Sequence, residues 1–243
     1  MSVLTLRLAG PLQSWGSSSR FTQRMTEHAP TKSGILGLLA AAQGRRRSDP
    51  IEDLLDLTLA VRVDQQGRLL RDFHTAHHQL TGDAMPLTDR YYWSDAVFTA
   101  YLGGPEAVLE GLHDALRDPK YPLYLGRRSC VPSGLLCLEV RGGSITDALM
   151  ETPWQAGPAE RRRRKSSPSV RLAVQADQAV YPDLVAAREL NDVPVDFNPE
   201  HRQYRSRVVV ETQVVIPTSS NSPDVDSATA PVVHDPIALL GGQ

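Results

Sequence analysis

The chain has 243 residues, 41% hydrophobic and 22% charged, and its 26 Lys and Arg against 28 Asp and Glu leave a net charge of −2. That length suits one large domain or two small ones sharing a core, and the charge balance excludes a globally basic nucleic-acid binder. No apolar run approaches the roughly 18 residues of a membrane span, and Met1–Leu8, which alternates apolar with polar and carries Arg7, is no signal peptide, so a soluble, cytoplasmic protein without membrane contact is expected.

In chain order, Val3–Leu8 has period two and reads as a strand ended by Gly10-Pro11. Residues 13–30 have no period and read as a loop rich in Ser, Thr and Arg. Pro30-Thr31-Lys32-Ser33 is a helix start, with Thr31 or Ser33 as N-cap. The helix runs through Ile35, Leu36, Leu38, Leu39 and Ala40–Ala42 and stops at Gly44. It is apolar nearly all round, which implies burial, and Gly34 and Gly37 would let it approach a sheet closely. Asp53–Leu57 reads as a short helix, and residues 58–64 and 69–75 as strands joined by the turn Gln65-Gln66-Gly67. Residues 76–92 lack a hydrophobic period and read as an excursion from the sheet. Residues 93–102 form a further strand, Pro105–Arg117 an amphipathic helix with Val108, Leu109, Leu112 and Leu116 on one face, and 135–140 another strand.

This β-α-β-β-α-β order within residues 1–142 is the split-βαβ, ferredoxin-like order shared with RRM modules, an α+β class. A smaller β-rich region is expected over 143–217, with a helix at Ile145–Met150, a basic loop at 158–168, and strands at 170–176 and 207–216. From Pro217 the composition turns to Ser, Pro, Asp and Ala, and 218–243 reads as a disordered tail.

Charge is concentrated locally at Arg45–Arg47, Arg127, Arg128 and Arg161–Lys165, and a local basic surface binds phosphates even on a near-neutral chain. Pro30-Thr31-Lys32-Ser33-Gly34 offers a helix N-terminus with a lysine, an anion site by geometry. Arg90 beside Tyr91 and Tyr92 joins a guanidinium to aromatic faces, which suits stacking on a base and pairing with a phosphate. Tyr124-Leu125-Gly126-Arg127-Arg128-Ser129 combines an aromatic, a glycine that permits close backbone approach, and two forked cations. Trp15 is a candidate stacking residue and Arg20 and Arg24 candidate phosphate contacts. The run Arg161, Arg162, Arg163, Arg164 and Lys165, flanked by Pro158 and Pro168, reads as a mobile loop able to touch a nucleic-acid backbone without reading sequence. Cys130 and Cys137 fit neither a CxxC knuckle nor a disulfide framework. His74 and His78 are spaced i, i+4 but fall on a strand and loop rather than a helix, and with Asp72 nearby there is still no HExxH pattern, so no metal is expected, and no cofactor either.

Five segments in order carry a family resemblance: Leu6–Gly16, Pro30–Leu39, Arg71–Thr75, Arg90–Phe98 and Tyr121–Cys130. Together they resemble the Cas-five family, subunits of type I-E CRISPR Cascade complexes, well over residues 3–140 and weakly over 141–217. The resemblance implies an RRM-like domain that grips the 5′ handle of the guide RNA (crRNA). It also implies a thumb hairpin, here at about 76–92, that contacts the CasC backbone subunit and kinks the RNA. It implies the CasA large subunit as a further neighbour, target DNA reached through the complex, and Arg90 as the leading RNA contact. In type I-E systems the family pattern gives repeat cleavage to CasE, so a non-catalytic role is implied. The rival is a metal-independent endoribonuclease, in which His74 or His78, Tyr91 and Lys32 would serve as base, acid and cation. A general RRM-like RNA binder outside CRISPR is a third reading.

Overall fold

Alternating apolar residues make β1 (Ser2–Ala9) a strand, and every residue of it is buried because both of its faces are covered. The computed structural model describes residues 1–16, 19, 20, 22–195 and 203–218. The remaining elements in order are β2 (Leu12–Gln13), β3 (Ser19–Arg20), β4 (Gln23–Arg24), α1 (Lys32–Ala42), α2 (Glu52–Leu55), β5 (Thr58–Gln65), β6 (Arg68–His74), β7 (Thr88–Ser94) and β8 (Val97–Gly104). Then come α3 (Glu106–Arg117), β9 (Cys137–Gly142), α4 (Ile145–Glu151), α5 (Pro158–Arg163), β10 (Ser169–Asp177), β11 (Arg188–Pro194) and β12 (Tyr204–Pro217).

One seven-stranded sheet runs β11-β12-β10-β5-β8-β1-β9, and its neighbours are all antiparallel. On one face Leu4, Leu6 and Leu8 of β1 join Ile35, Leu36 and Leu39 of α1 and Leu109, Leu112 and Leu116 of α3 in the larger core. On the other face Val3 joins Ala148 and Leu149 of α4 and Val170, Leu172, Val174, Val210 and Val214 of β10 and β12 in a second core. The protein is thus mixed α+β, and the strands after residue 143 continue the same sheet through Ala176↔Ala60 and its neighbours. The apolar face read for α3 is buried as its period dictates. Thr31 is the N-cap of α1, its hydroxyl accepting from the Gly34 N–H at 3.3 Å.

A buried ion pair fastens α4 and the segment after it to the sheet. Arg62 and Asp64, both sealed from solvent, pair at 2.9 Å. Arg62 also donates to the carbonyls of Leu149 (2.7 Å), Thr152 (2.8 Å) and Pro153 (2.9 Å). Asp64 accepts from the Thr99 hydroxyl (2.7 Å) and the Gln155 N–H (2.8 Å). Burial opposes the charge on Arg62, and the adjacent Asp64 carboxylate more than restores it.

Several expectations change. Residues 13–30 are not simply a loop: β2, β3 and β4 form a second sheet with β7, too short and polar to leave a periodic signal. The strand at 69–75 does not pair with 58–64. Gly67, at φ +70, turns the chain against Ala96, where a Cβ would lie 2.8 Å from its nitrogen, and β6 pairs instead with β7. Trp93 belongs to β7, and β8 begins only at Val97, after Asp95 at φ 54. Residues 76–92 therefore lie within a longer hairpin spanning 68–94. The basic loop at 158–168 is in part helix α5, started by Pro158 and braced by Glu160, which pairs with Arg163 and Arg164. Thr218, at the head of the expected tail, donates its N–H to the Pro168 carbonyl at 3.1 Å; residues 219–243 lie outside the described residues. Among the described residues no helix is long and apolar enough to cross a membrane.

Both cysteines are free thiols. Burial pushes both up, Cys137 to about 11. Because the thiolate is the nucleophile, alkylation of the native protein at pH 8 is expected to be at least tenfold slower than in urea, rising as pH nears 11. Rates of iodoacetamide labelling, read by mass spectrometry, check this.

Candidate nucleic-acid interface

Segments far apart in sequence meet beside the second sheet, and buried polar side chains hold them there. After β1 the chain passes through Gln13, whose Nε2 donates to the carbonyls of Leu8 (2.9 Å) and Ala96 (2.8 Å). Its Oε1 accepts from the Trp15 indole at 3.1 Å. Ser14 then links two further segments: its N–H donates to the Leu125 carbonyl (3.1 Å) and its hydroxyl to the Tyr91 carbonyl (3.0 Å). Leu125 and Cys130 close the loop between them, the Leu125 N–H donating to the Cys130 carbonyl at 2.7 Å. Gly126 sits at φ +89, and a Cβ there would overlap the Ser14 carbonyl oxygen. The close approach expected of this glycine is therefore made to the protein's own backbone.

Arg127 is a staple. Its guanidinium donates to the carbonyls of Tyr91 (3.3 Å) and Arg24 (2.7 Å) and lies 4.8 Å over the Tyr92 ring. It joins the 125–130 loop to β7 and β4 with part of its donor set. β4 pairs with β7 in parallel, which sets Arg24 directly beside Arg90. Arg90 is half-buried, and its Nε is buried without a hydrogen-bond partner among the described residues. Such a donor costs about 1–3 kcal/mol while it lacks an acceptor. By strand alternation Arg90 shares its face of β7 with Tyr92, the residue that Arg127 covers.

Against this wall lies a cleft of about 700 Å³ between α1, β4 and the loops at 45–47 and 121–128. Trp15, Arg24, Ser33, Gly34, Tyr124, Arg127 and Arg128 all line it, whereas Arg90 does not. Arg45, Arg46, Arg47, Tyr121 and Tyr204 line it too and were not assigned to a site from sequence. The run Arg45–Arg47 was visible as a charge cluster, but nothing local tied it to residues 124–128. Among the described residues, arginines 24, 45, 46, 47, 127 and 128 line the cleft and no Asp or Glu does. Arg45 is paired with Asp53, and its hydrogen bond holds that carboxyl below its ordinary range. Arg46, Arg47 and Arg128 are exposed and have no ion pair among the described residues. The site thus combines forked cations with tyrosine faces, the chemistry that holds an unpaired polynucleotide.

Four expectations need correction or relocation. Trp15 is fully buried and its indole is bonded to Gln13, so it is a core residue and not a stacking platform. Gly34 packs on it, where a Cβ would lie 2.7 Å from the Trp15 ring. Lys32 is buried, its Nζ 3.5 Å from Asp177. Its N–H at the α1 N-terminus donates to Asp192 at 2.8 Å, so the anion for that helix is already supplied by a carboxylate of β11. Arg207 completes the cluster, gripping Asp192 with both arms at 2.7 and 2.9 Å and also pairing with Asp177. Tyr91 contributes its carbonyl to Ser14 and Arg127, and its side chain does not line the cleft. Arg161, Arg162, Arg163, Arg164 and Lys165 lie on or just after α5 and line no part of this cleft. The side chain of Arg20 lies outside the described residues.

His74, His77 and His78 are exposed on the 68–94 hairpin and line no part of the cleft. His77 Nδ1 lies 3.1 Å from the Gly82 carbonyl, and His78 Nδ1 accepts from the Thr81 N–H at 3.3 Å. Among the described residues no cluster of three or more His, Cys, Asp or Glu is arranged to hold a metal ion.

Residues 3–210 match the sequence model of the family described as CRISPR-associated protein (Cas_Cas5). The chain is 40% identical over 149 residues to the CRISPR system Cascade subunit CasD of Escherichia coli (strain K12). That match covers 53% of this chain and 66% of the relative, slightly under two thirds of its length. Among solved structures, a chain of a CRISPR RNA-guided surveillance complex superposes with a TM-score of 0.73 at 35% identity, covering 88% of this chain and 91% of the other. A crystal structure of a Cas protein gives 0.67 at 36% identity, covering 89% and 95%.

Proposed function

Since the chain belongs to the CRISPR-associated Cas5 family, we propose that it is a non-catalytic subunit of a type I-E Cascade surveillance complex that binds and caps the 5′ handle of the crRNA. The observation that carries this reading is the cleft lined, among the described residues, by six arginines and no carboxylate, with Tyr121, Tyr124 and Tyr204 beside them. An unpaired RNA terminus needs phosphate partners and flat faces for its splayed bases. Arg90 does not itself line the cleft, but Arg24, its neighbour on β4, does, and that supports a phosphate acceptor arriving on that side.

The strand order β5-β8-β1-β9, with α1 and α3 packed on one face, supports reading residues 1–142 as the ferredoxin-like, RRM-type unit. The strands of 143–217 form its smaller β-rich extension. The hairpin at 68–94 is read as the thumb that meets CasC. Leu69, Phe73 and Leu80 are 53%, 63% and 91% exposed on it, an apolar surface in need of a partner. CasA is the second neighbour, and target DNA is reached through the assembled complex. The absence of the hairpin histidines from the arginine cleft supports binding without cleavage.

The test is co-expression of the full chain with a CRISPR repeat array and its partner subunits. Arg90→Ala and Arg128→Ala are each expected to weaken retention of the co-purified guide RNA about tenfold, the scale of one charge-assisted contact. Each should also lower the salt dependence of binding by about 0.7 in log–log slope. Wild-type affinity and slope in both variants would refute the site. Specific cleavage of repeat RNA by the isolated chain in chelator would refute the non-catalytic role.

A further inference from the structure

A second cleft, of about 680 Å³, shares no lining residue with the first. It opens where β5 and β10 part company. The two strands pair only from Ala60↔Ala176 to Arg62↔Val174, and beyond that point Val63–Gln65 and Val170–Ala173 diverge to form its walls. α5 flanks the opening and is fixed there. The Gly157 N–H before it donates to Gln65 Oε1 at 3.0 Å, and the Arg161 Nε donates to the Ala156 carbonyl at 2.6 Å. The arginines on this short helix are therefore carried by an anchored element rather than by a free loop.

Arg68, Arg163, Arg164 and Arg171 line this cleft against Asp64, Asp95 and Glu160. Asp64 is already neutralised by buried Arg62, and Glu160 is shared between Arg163 and Arg164. Arg68 and Arg171 are exposed and have no ion pair among the described residues. Asp95 is exposed and has no ion pair among the described residues, so with Asp64 offset by Arg62 the four arginines face two carboxylates, and the lining is net positive with forked donors facing solvent from two different strands.

The aromatic content separates this cleft from the first. Its one aromatic lining residue among the described residues, Trp154, is 4% exposed, and its indole donates to the Asp64 carbonyl at 2.8 Å. No ring is offered to a base. A single strand would leave its bases unpartnered here, whereas a duplex keeps its bases stacked inside and presents only phosphates. We propose that the cleft between β5, β10 and α5 binds the phosphate backbone of a nucleic-acid duplex, without reading its sequence, through Arg68 and Arg171 with Arg163 and Arg164 beside them. An acidic polypeptide is the competing occupant, and the test separates the two.

The experiment titrates the full chain with a dye-labelled, mixed-sequence DNA duplex over a range of salt concentrations and reads anisotropy. Arg68→Ala/Arg171→Ala is expected to lower the log–log salt slope by about 2, since each phosphate contact contributes about 0.9 on duplex DNA. Affinity at low salt is expected to fall at least tenfold. Arg68→Lys/Arg171→Lys retains the charges and should keep most of the slope, an outcome that a merely structural role would not produce. Arg46→Ala/Arg128→Ala, in the first cleft, should leave duplex binding unchanged while weakening single-stranded RNA, so the two sites fail separately. A wild-type slope and affinity in the double alanine variant overturns the proposal. So does displacement of poly-glutamate, but not of duplex, by the same substitutions.

Discussion

Arg62→Leu is expected to destabilise the protein by about 3–5 kcal/mol, the range for breaking a buried ion pair from one side. The substitution leaves the Asp64 carboxylate sealed from water with its countercharge gone. It also strands the carbonyls of Leu149, Thr152 and Pro153, each of which now accepts from the guanidinium. For a chain of this size the midpoint of thermal unfolding should fall by roughly 10 °C. The diagnostic partner is Arg62→Leu/Asp64→Leu. With both charges removed no ion is left unpaired, so the double variant should be more stable than the single. Calorimetry or urea titration of the two variants decides it. If the single and double variants unfold together, the cost lies in packing and not in the orphaned charge. The burial of Tyr101 in the same cluster adds a second sign of low polarity there, since it pushes that phenol well above its ordinary value.

Gly126→Ala is expected to remove binding at the first cleft. A left-handed backbone costs an L-residue about 1–2 kcal/mol, and the added methyl would overlap the Ser14 carbonyl oxygen, a backbone atom held by the packed 13–15 segment. Overpacking of this kind adds about 1–3 kcal/mol. The cheapest escape is to lift the 125–130 loop off Ser14, which breaks the Ser14 N–H bond to Leu125 and moves Arg127 away from Tyr91 and Arg24. Tyr124, Arg127 and Arg128 then no longer share a wall with Arg24 and Arg46. The seven-stranded sheet does not include this loop, so the global fold should survive, at a stability cost from the core contacts of Leu125 and Cys130. The expected result is near-native circular dichroism with guide-RNA binding weakened at least a hundredfold, about twice the free energy of a single lost contact. Retention of tight binding by a folded Gly126→Ala protein would show that this loop does not form the wall.

Much of the scaffold is written locally. The period-two run at Val3–Leu8, the apolar stripe Leu109–Leu116 and the cap at Thr31 depend on relations between residues a few positions apart, and those relations hold in the structure. The two-residue strands β2, β3 and β4 were invisible because elements that short carry no periodicity; β2 and β4 exist only because β7 lies beside them, and β3 because β4 does. The same reason explains Trp93, which reads as part of a strand through Val97 until Gly67 and Asp95 turn the chain into a different sheet.

The sequence by itself determined the buried central strand, the two helices that cover it, the family, and the clusters of arginine from which an interface can be built. Only the tertiary structure decided which of those cations stay available. The Lys32 ammonium is lost to Asp177, a carboxylate 145 positions away, while Arg46 and Arg47 gain a place in the cleft through the turn after α1. The physical reason is one of range. Backbone preference and hydrophobic period act over a turn of helix or a pair of strand residues. The pairing of charges is set by which strands become neighbours, and that depends on the packing of the whole chain.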